Sequence, residues 1–138
     1  MRIFLDRNIS SRTTKLLRCF DTTCQIDHHD DHFDQNTPDT EWIQHVSLWR
    51  PIPAVLCGDG KILTRKHELA VLKGSGLTFI HLAKHWTTVS WEGFAWRIIK
   101  VWPEIVKAVI AEQKPRVLTV KYKNLKVEPG PYIPDLKG

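Results

Sequence analysis

The chain has no apolar run approaching the roughly 18 residues that a membrane-crossing helix needs. It also has little cysteine: Cys19, Cys24 and Cys57 are the three in 138 residues. Their number is odd and their spacing is neither CxxC nor that of a zinc knuckle, so they point away from a disulfide framework and read as small buried hydrophobes. A secretory leader is missing from the opening MRIFLDRNIS, because Asp6 stands where the apolar stretch of such a leader would run. Internal repeats and low-complexity segments are absent as well. These absences together predict a cytoplasmic protein with no membrane association.

What remains is an ordinary globular composition, 42% hydrophobic and 25% charged, in a length that suits one domain and buries about two-thirds of the surface an unfolded chain exposes. The formal net charge is +5, a surplus that attracts phosphate backbones without choosing among them. Most lysines and arginines lie in the C-terminal two-thirds. Against that background, residues 27–41 (DHHDDHFDQNTPDTE) are acidic and rich in histidine, a local imbalance that calls for a cause.

Periodicity predicts alternating strands and helices. RIFL is a short apolar run closed by Asp6 and Asn8, and Ser10 and Ser11 lead into RTTKLLRCF with apolar residues at helical spacing. TTCQI reads as a second strand and the histidine-aspartate stretch after it as loop. Thr37, Pro38 and Glu41 form a helix start, with Thr37 at the cap and Pro38 in the first helical position. PAVLC is a third strand ended by Gly58-Asp59-Gly60, residues 64–73 are a helix stopped by Gly74 and Gly76, and TFIHLA is a fourth strand. From Ser90 to Lys114 the pattern is helical, with Pro103 as either a kink or the first turn of a second helix. VLTVKY and LKVEP form two last strands. One domain spans residues 1–128, and 129–138 reads as a Pro/Gly-rich tail without regular structure.

Strands separated by single helices imply a mostly parallel sheet covered on both faces, a three-layer α/β/α sandwich. Ligands of such sheets sit outside the carboxyl ends of the strands. Asp6 directly follows RIFL and Asp59 directly follows VLCG, so both emerge at that edge if strands one and three are neighbours, and Asp39 in the first turn of the second helix can be aimed at the same point. Converging carboxylates repel unless a cation sits among them, and Mg²⁺ or Mn²⁺, which take oxygen ligands, answer that need. Metal-assisted phosphodiester hydrolysis is the reaction class this predicts. Read singly, each Asp equally suits a turn, a cap or a helix dipole.

FLDRNIS, then TPDTEWI, then VLCGDGKI with a short helix and TFIHLA, resembles the PIN-like family over roughly residues 2–110, and in particular its branch of VapC-type toxins, whose first strand usually reads FLDEN. The resemblance implies a parallel α/β/α sandwich, a Mg²⁺ or Mn²⁺ site of three or four acids, and ribonuclease activity often restrained by an antitoxin protein. Asp6, Asp39 and Asp59 match the family's acids. Arg7 departs from the pattern by standing where the branch often has Glu, a charge suited to phosphate, and Gly60 and Lys61 occupy the region where a fourth acid is usual. Glu41 and Asp31 are the candidates for that fourth acid.

Other residues have two readings each. Asn8 is expected to cap the first helix and is also placed to hold a metal-bound water. Lys61 and Arg65, with Lys66 and His67, follow the Asp59 turn within reach of a substrate phosphate or simply form a solvated helix face. His28, His29 and His32 with Asp27, Asp30, Asp31 and Asp34 suit a transition metal, but as consecutive loop residues they read better as solvated surface forming a lip beside the active site. The six tryptophans read as core or interface, and the four between positions 86 and 102 mark the surface for a second copy in a homodimer or for an antitoxin. The expected activity is that of a metal-dependent endoribonuclease, the toxin of a toxin-antitoxin pair. The competing expectation is a PIN-like module that has lost catalysis and binds nucleic acid or a protein, and a weaker third is a phosphoacceptor domain, which lacks a suitable lysine after a late strand.

Overall fold

The computed structural model describes residues 1–137. Ten regular elements follow in the order β1 (Arg2–Leu5), α1 (Ser11–Phe20), β2 (Gln25–His28), α2 (Asp39–Val46), β3 (Ala54–Cys57), α3 (Lys66–Ser75), β4 (Phe79–Leu82), α4 (Trp91–Ala111), β5 (Arg116–Val120) and β6 (Val127–Tyr132). The six strands make one sheet in the order β2-β1-β3-β4-β5-β6, parallel throughout except for the β5–β6 pair. β1 therefore has β2 on one side and β3 on the other, and the direction of winding reverses there, which opens a crevice at the carboxyl ends of β1 and β3.

Strand alternation divides the core into two layers. Ile3, Leu5, Ala54, Leu56, Ile80, Leu82, Leu118 and Val120 face one way and pack with Leu17 of α1 and Ile98, Val101, Trp102 and Ile105 of α4. Phe4, Val55, Cys57, Phe79 and Val117 face the other way and pack with Trp42, Ile43 and Val46 of α2 and Leu72 of α3. The result is the expected three-layer α/β/α sandwich. Two of the buried indoles also anchor polar partners: Trp86 donates to Val120 O at 3.0 Å and Trp102 to Asp21 Oδ2 at 3.0 Å, so each large ring enters the core without an orphaned N–H.

Four expectations from the sequence are corrected. The second strand begins and ends two or three residues later than TTCQI, which draws Asp27 and His28 into the sheet opposite Phe4 and Leu5. The start of the histidine-aspartate stretch is consequently buried, with Asp27, His28 and His29 at 7%, 1% and 0% exposed, because β1 supplies a hydrogen-bonding edge that local sequence cannot show, while Asp30, Asp31, His32 and Asp34 are exposed as expected. The cap of α2 is Pro38 rather than Thr37. Finally, β6 runs through Pro129-Gly130-Pro131 to Tyr132 and is followed by a 3₁₀ turn at Ile133–Asp135 whose Ile133 is fully buried. Proline is tolerated there because β6 is the last strand of the sheet and needs hydrogen-bond donors on one side only. At Gly130 a Cβ would stand 2.9 Å from the Val117 carbonyl oxygen, so the strand approaches β5 more closely than a side chain permits.

Pro103, the other ambiguous signal, lies inside one continuous 21-residue helix. Burial of Val101, Trp102 and Ile105 on the same helix outweighs the hydrogen bond that proline cannot make. No helix among the described residues is long and apolar enough to cross a membrane.

Candidate active site

Asp6 is the first residue beyond β1, and its backbone N–H still donates to Leu56 O of β3 at 3.0 Å, which fixes it against the neighbouring strand. Its side chain is 3% exposed. One carboxylate oxygen accepts from the Arg7 N–H at 2.7 Å and the other from the Cys57 thiol at 3.2 Å. Burial pushes the carboxyl above its ordinary value, the charge of Asp39 adds to this, and the thiol and the Arg7 N–H act against it.

Asp39 stands in the first turn of α2, where the helix dipole favours a negative charge. Its Oδ1 accepts from Arg7 Nη2 at 2.8 Å and from Trp42 Nε1 at 2.8 Å. Arg7 also donates from Nη1 to Gln35 O at 2.6 Å and Thr37 O at 2.7 Å, so the guanidinium bridges β1 to the segment before α2.

Asp59 ends the β3 turn. Its Oδ1 accepts from Lys61 N at 2.8 Å, capping the short 3₁₀ turn Gly60–Leu63, and its backbone oxygen accepts from the Cys57 thiol at 3.0 Å. The glycines on either side are needed for closeness. A Cβ at Gly58 would lie 2.6 Å from Thr87 Cγ2, and one at Gly60 would lie 3.2 Å from His81 Nε2.

The three acids that the sequence nominates line a single pocket of about 150 Å³ with Arg7, Asn8, Cys57, Lys61, Ile62 and Arg65. Glu41 and Asp31 are exposed and are not among its walls. Ser10, not Asn8, caps α1 by accepting from Arg12 N at 3.2 Å. Asn8 instead reaches across to β3, where its Oδ1 accepts from Gly58 N at 3.1 Å and its Nδ2 faces Cys57 Sγ at 3.5 Å.

The histidine-aspartate stretch has structural work to do. Asp27 accepts from Arg2 Nε at 2.7 Å and pairs with His32 Nε2 at 3.1 Å, while Arg2 lies over the Trp49 ring at 4.3 Å. Burial works to raise Asp27, but Arg2 and His32 outweigh it and hold the carboxyl below its ordinary value. His28 donates from Nε2 to Ile9 O at 2.6 Å and accepts from Asp30 N at Nδ1, 3.1 Å. His29 is enclosed by Phe4, Phe33 and Trp42.

A residue the sequence reading passed over is His81, on β4 in register with Cys57. It borders a second pocket shared with Asn8, Asp59, Gly60, Lys84 and Thr87. Burial lowers the imidazole from its ordinary value against the pull of Asp59, and Lys121 lowers it further. Its position one residue before the end of a parallel strand is the signal that would have found it.

The amino-terminal part of the chain, residues 1–84, matches the family model described as PIN like domain. The chain belongs to the PIN-like domain family. No curated protein and no solved structure matches it. The matched residues carry β1 through β4 and all three acids of the pocket; α4 and the β5–β6 hairpin lie beyond them. PIN-like domains have a nuclease-type fold, and divalent metals are the usual cofactor of that fold. Among the described residues, no three His, Cys, Asp or Glu side chains converge closely enough to hold one ion. In this PIN-like domain Asp39 Oδ1 is taken by Arg7 and Trp42. Asp6 and Asp59 also border the pocket with carboxylate oxygens, the ligand type that Mg²⁺ and Mn²⁺ take, and these ions need only one or two carboxylates when water and phosphate complete the shell.

Proposed function

We propose that this PIN-like domain is an endoribonuclease that hydrolyses RNA phosphodiester bonds with Mg²⁺ or Mn²⁺, acting as the toxin of a toxin-antitoxin pair. The observation that carries the proposal is the meeting, in one pocket at the carboxyl edge of β1 and β3, of three acids from separate parts of the chain with Arg7, Lys61 and Arg65. In this reading Asp6 and Asp59 hold the ion, and Asp39 joins them when Arg7 moves toward substrate phosphate. The raised proton affinity of Asp6 is the mark of a buried anion lacking a full complement of positive partners. The bound ion would polarise the phosphate and lower the proton affinity of water. Lys61 and Arg65 supply positive charge for the phosphodiester, and Asn8, anchored at Gly58, is a further wall of the pocket. An antitoxin would meet the PIN-like domain on α4, where Trp96 and Ile110 are 50% and 69% exposed.

The Arg7–Asp39 ion pair favours a second reading, in which the guanidinium permanently replaces the cation and the pocket binds phosphodiesters without cutting them. Cleavage of labelled single-stranded RNA in Mn²⁺, Mg²⁺ and EDTA, with the wild type beside Asp59→Asn, decides between the two. The nuclease reading expects cutting that EDTA abolishes and that the variant loses by at least about 100-fold. Asn can keep the cap on Lys61 N, so the variant should melt with the wild type. No cutting by a wild type that still binds RNA would replace the first reading by the second.

A further inference from the structure

We propose that the cleft between the start of α1 and residues 86–94 binds a nucleobase of the RNA whose phosphate occupies the acid pocket. The inference rests on reading the acid pocket as a phosphodiester site.

The cleft holds about 270 Å³ and is lined by Asn8, Ser10, Arg12, Trp86, Trp91 and Phe94 among others. Asn8 is also a wall of the acid pocket, so the two spaces adjoin across one side chain. For a strand with its phosphate beside Asp6 and Asp59, the cleft is therefore a neighbouring space past Asn8.

Its chemistry suits a flat, π-rich ligand. Trp91 is half-buried, with the Arg12 guanidinium 4.3 Å over its ring and Phe94 stacked near-parallel at 6.1 Å and 19°. Among the described residues the Arg12 guanidinium has no hydrogen-bond or ion-pair partner, and its contact is with the Trp91 ring. Splayed-out bases stack on aromatic rings and on Arg guanidinium planes, and here the exposed Arg12 guanidinium, backed by the Trp91 ring, offers such a platform with its hydrogen-bond donors still available to base or phosphate. A base within a duplex is stacked and paired and has no face to offer, and a cleft of this size does not admit a base pair.

The test is equilibrium binding, in EDTA so that nothing is cut, of a five-nucleotide single-stranded RNA, of the same RNA with each base removed in turn, and of the same strand in a duplex. Tryptophan fluorescence and the anisotropy of a labelled strand report binding. The wild type is expected to bind the intact strand roughly 5- to 150-fold more tightly than the strand lacking one particular base, and to disfavour the duplex. Trp91→Ala should bind both single strands at the weaker level, and Trp91→Phe, which keeps a stacking ring, should recover most of the preference; a thermal melt of each variant shows that it is folded. Equal binding of intact and abasic strands by the wild type, or an undiminished preference in Trp91→Ala, overturns the inference. The two readings fail separately. A wild type that cuts RNA but ignores every missing base retains the nuclease and loses the base pocket. One that prefers the base yet cuts nothing retains the pocket and loses the nuclease.

Discussion

Arg7 and Asp39 lie 2.8 Å apart, a half-buried ion pair that joins the end of β1 to the first turn of α2. Asp39 thus has its counter-charge within the chain, and the two residues compete with any metal or phosphate that enters. Arg7→Gln removes the charge together with the donors to Gln35 O and Thr37 O. The expected cost is about 1–3 kcal/mol of stability, measured as a lowered denaturant midpoint. At the same time the acid pocket becomes more negative, and half-maximal activity, or half-maximal binding of Mn²⁺ by calorimetry, should occur at a lower metal concentration than in the wild type.

Asp6 has a proton affinity raised chiefly by burial. The folded state therefore binds more protons than the unfolded state above the ordinary carboxylate value of 3.8, and the contribution of Asp6 to stability declines as pH rises through its folded value. Asp6→Asn deletes the buried charge, and its amide can accept from Arg7 N while the Cys57 thiol turns to Asp59 O. The variant should melt above the wild type at neutral pH, the gap closing as pH falls toward 3.8. Thermal melts between pH 4 and 8 read this directly, and under the nuclease reading the stabilised variant is inactive.

His28 accepts from Asp30 N at Nδ1 and donates from Nε2 to Ile9 O. It ties β2 to the turn that carries Asn8. His28→Leu leaves a buried carbonyl and a backbone N–H without partners, and should cost roughly 2–4 kcal/mol. The expected second effect is faster amide exchange at residues 7–10, seen by hydrogen exchange.

Thr14 on α1 is 2% exposed and its hydroxyl has no hydrogen-bond partner among the described residues. Thr14→Val keeps the shape and removes the orphaned group, so it should stabilise the protein by about 1 kcal/mol, roughly 3–5 °C in melting temperature. A melt unchanged or lowered would show that the hydroxyl is satisfied by water.

The sandwich and the acids were legible in the sequence because both follow from local patterns. RIFL and PAVLC are apolar runs ended by polar turns, and in a parallel sheet their ends share one edge; that alone brings Asp6 and Asp59 together. The burial of Asp27, His28 and His29 was not legible, since it depends on the pairing register with β1 and on Arg2, a residue 25 positions from its partner. The same is true of Arg7. A charge beside an acid reads as a phosphate contact, and only the fold shows that α2 delivers Asp39 to it. His81 escaped because half-burial next to Asp59 is a property of the β3–β4 register. The last strand runs three residues past its expected end at Pro129 for a different reason: Pro129 and Pro131 forbid a central strand, but the sequence cannot say which strand stands at an edge.

That edge has a bearing on how the protein meets others of its kind. The outer rim of β6 carries two residues that cannot donate and a glycine wedged against β5, so another chain laid alongside would find few N–H groups to pair with. Growth of the sheet into a filament, or a dimer built by continuing it from that rim, is disfavoured by the backbone chemistry itself. Joining on that side of the molecule falls to helical surfaces, whose side chains can be altered singly without disturbing the hydrogen-bond ladder of the sheet.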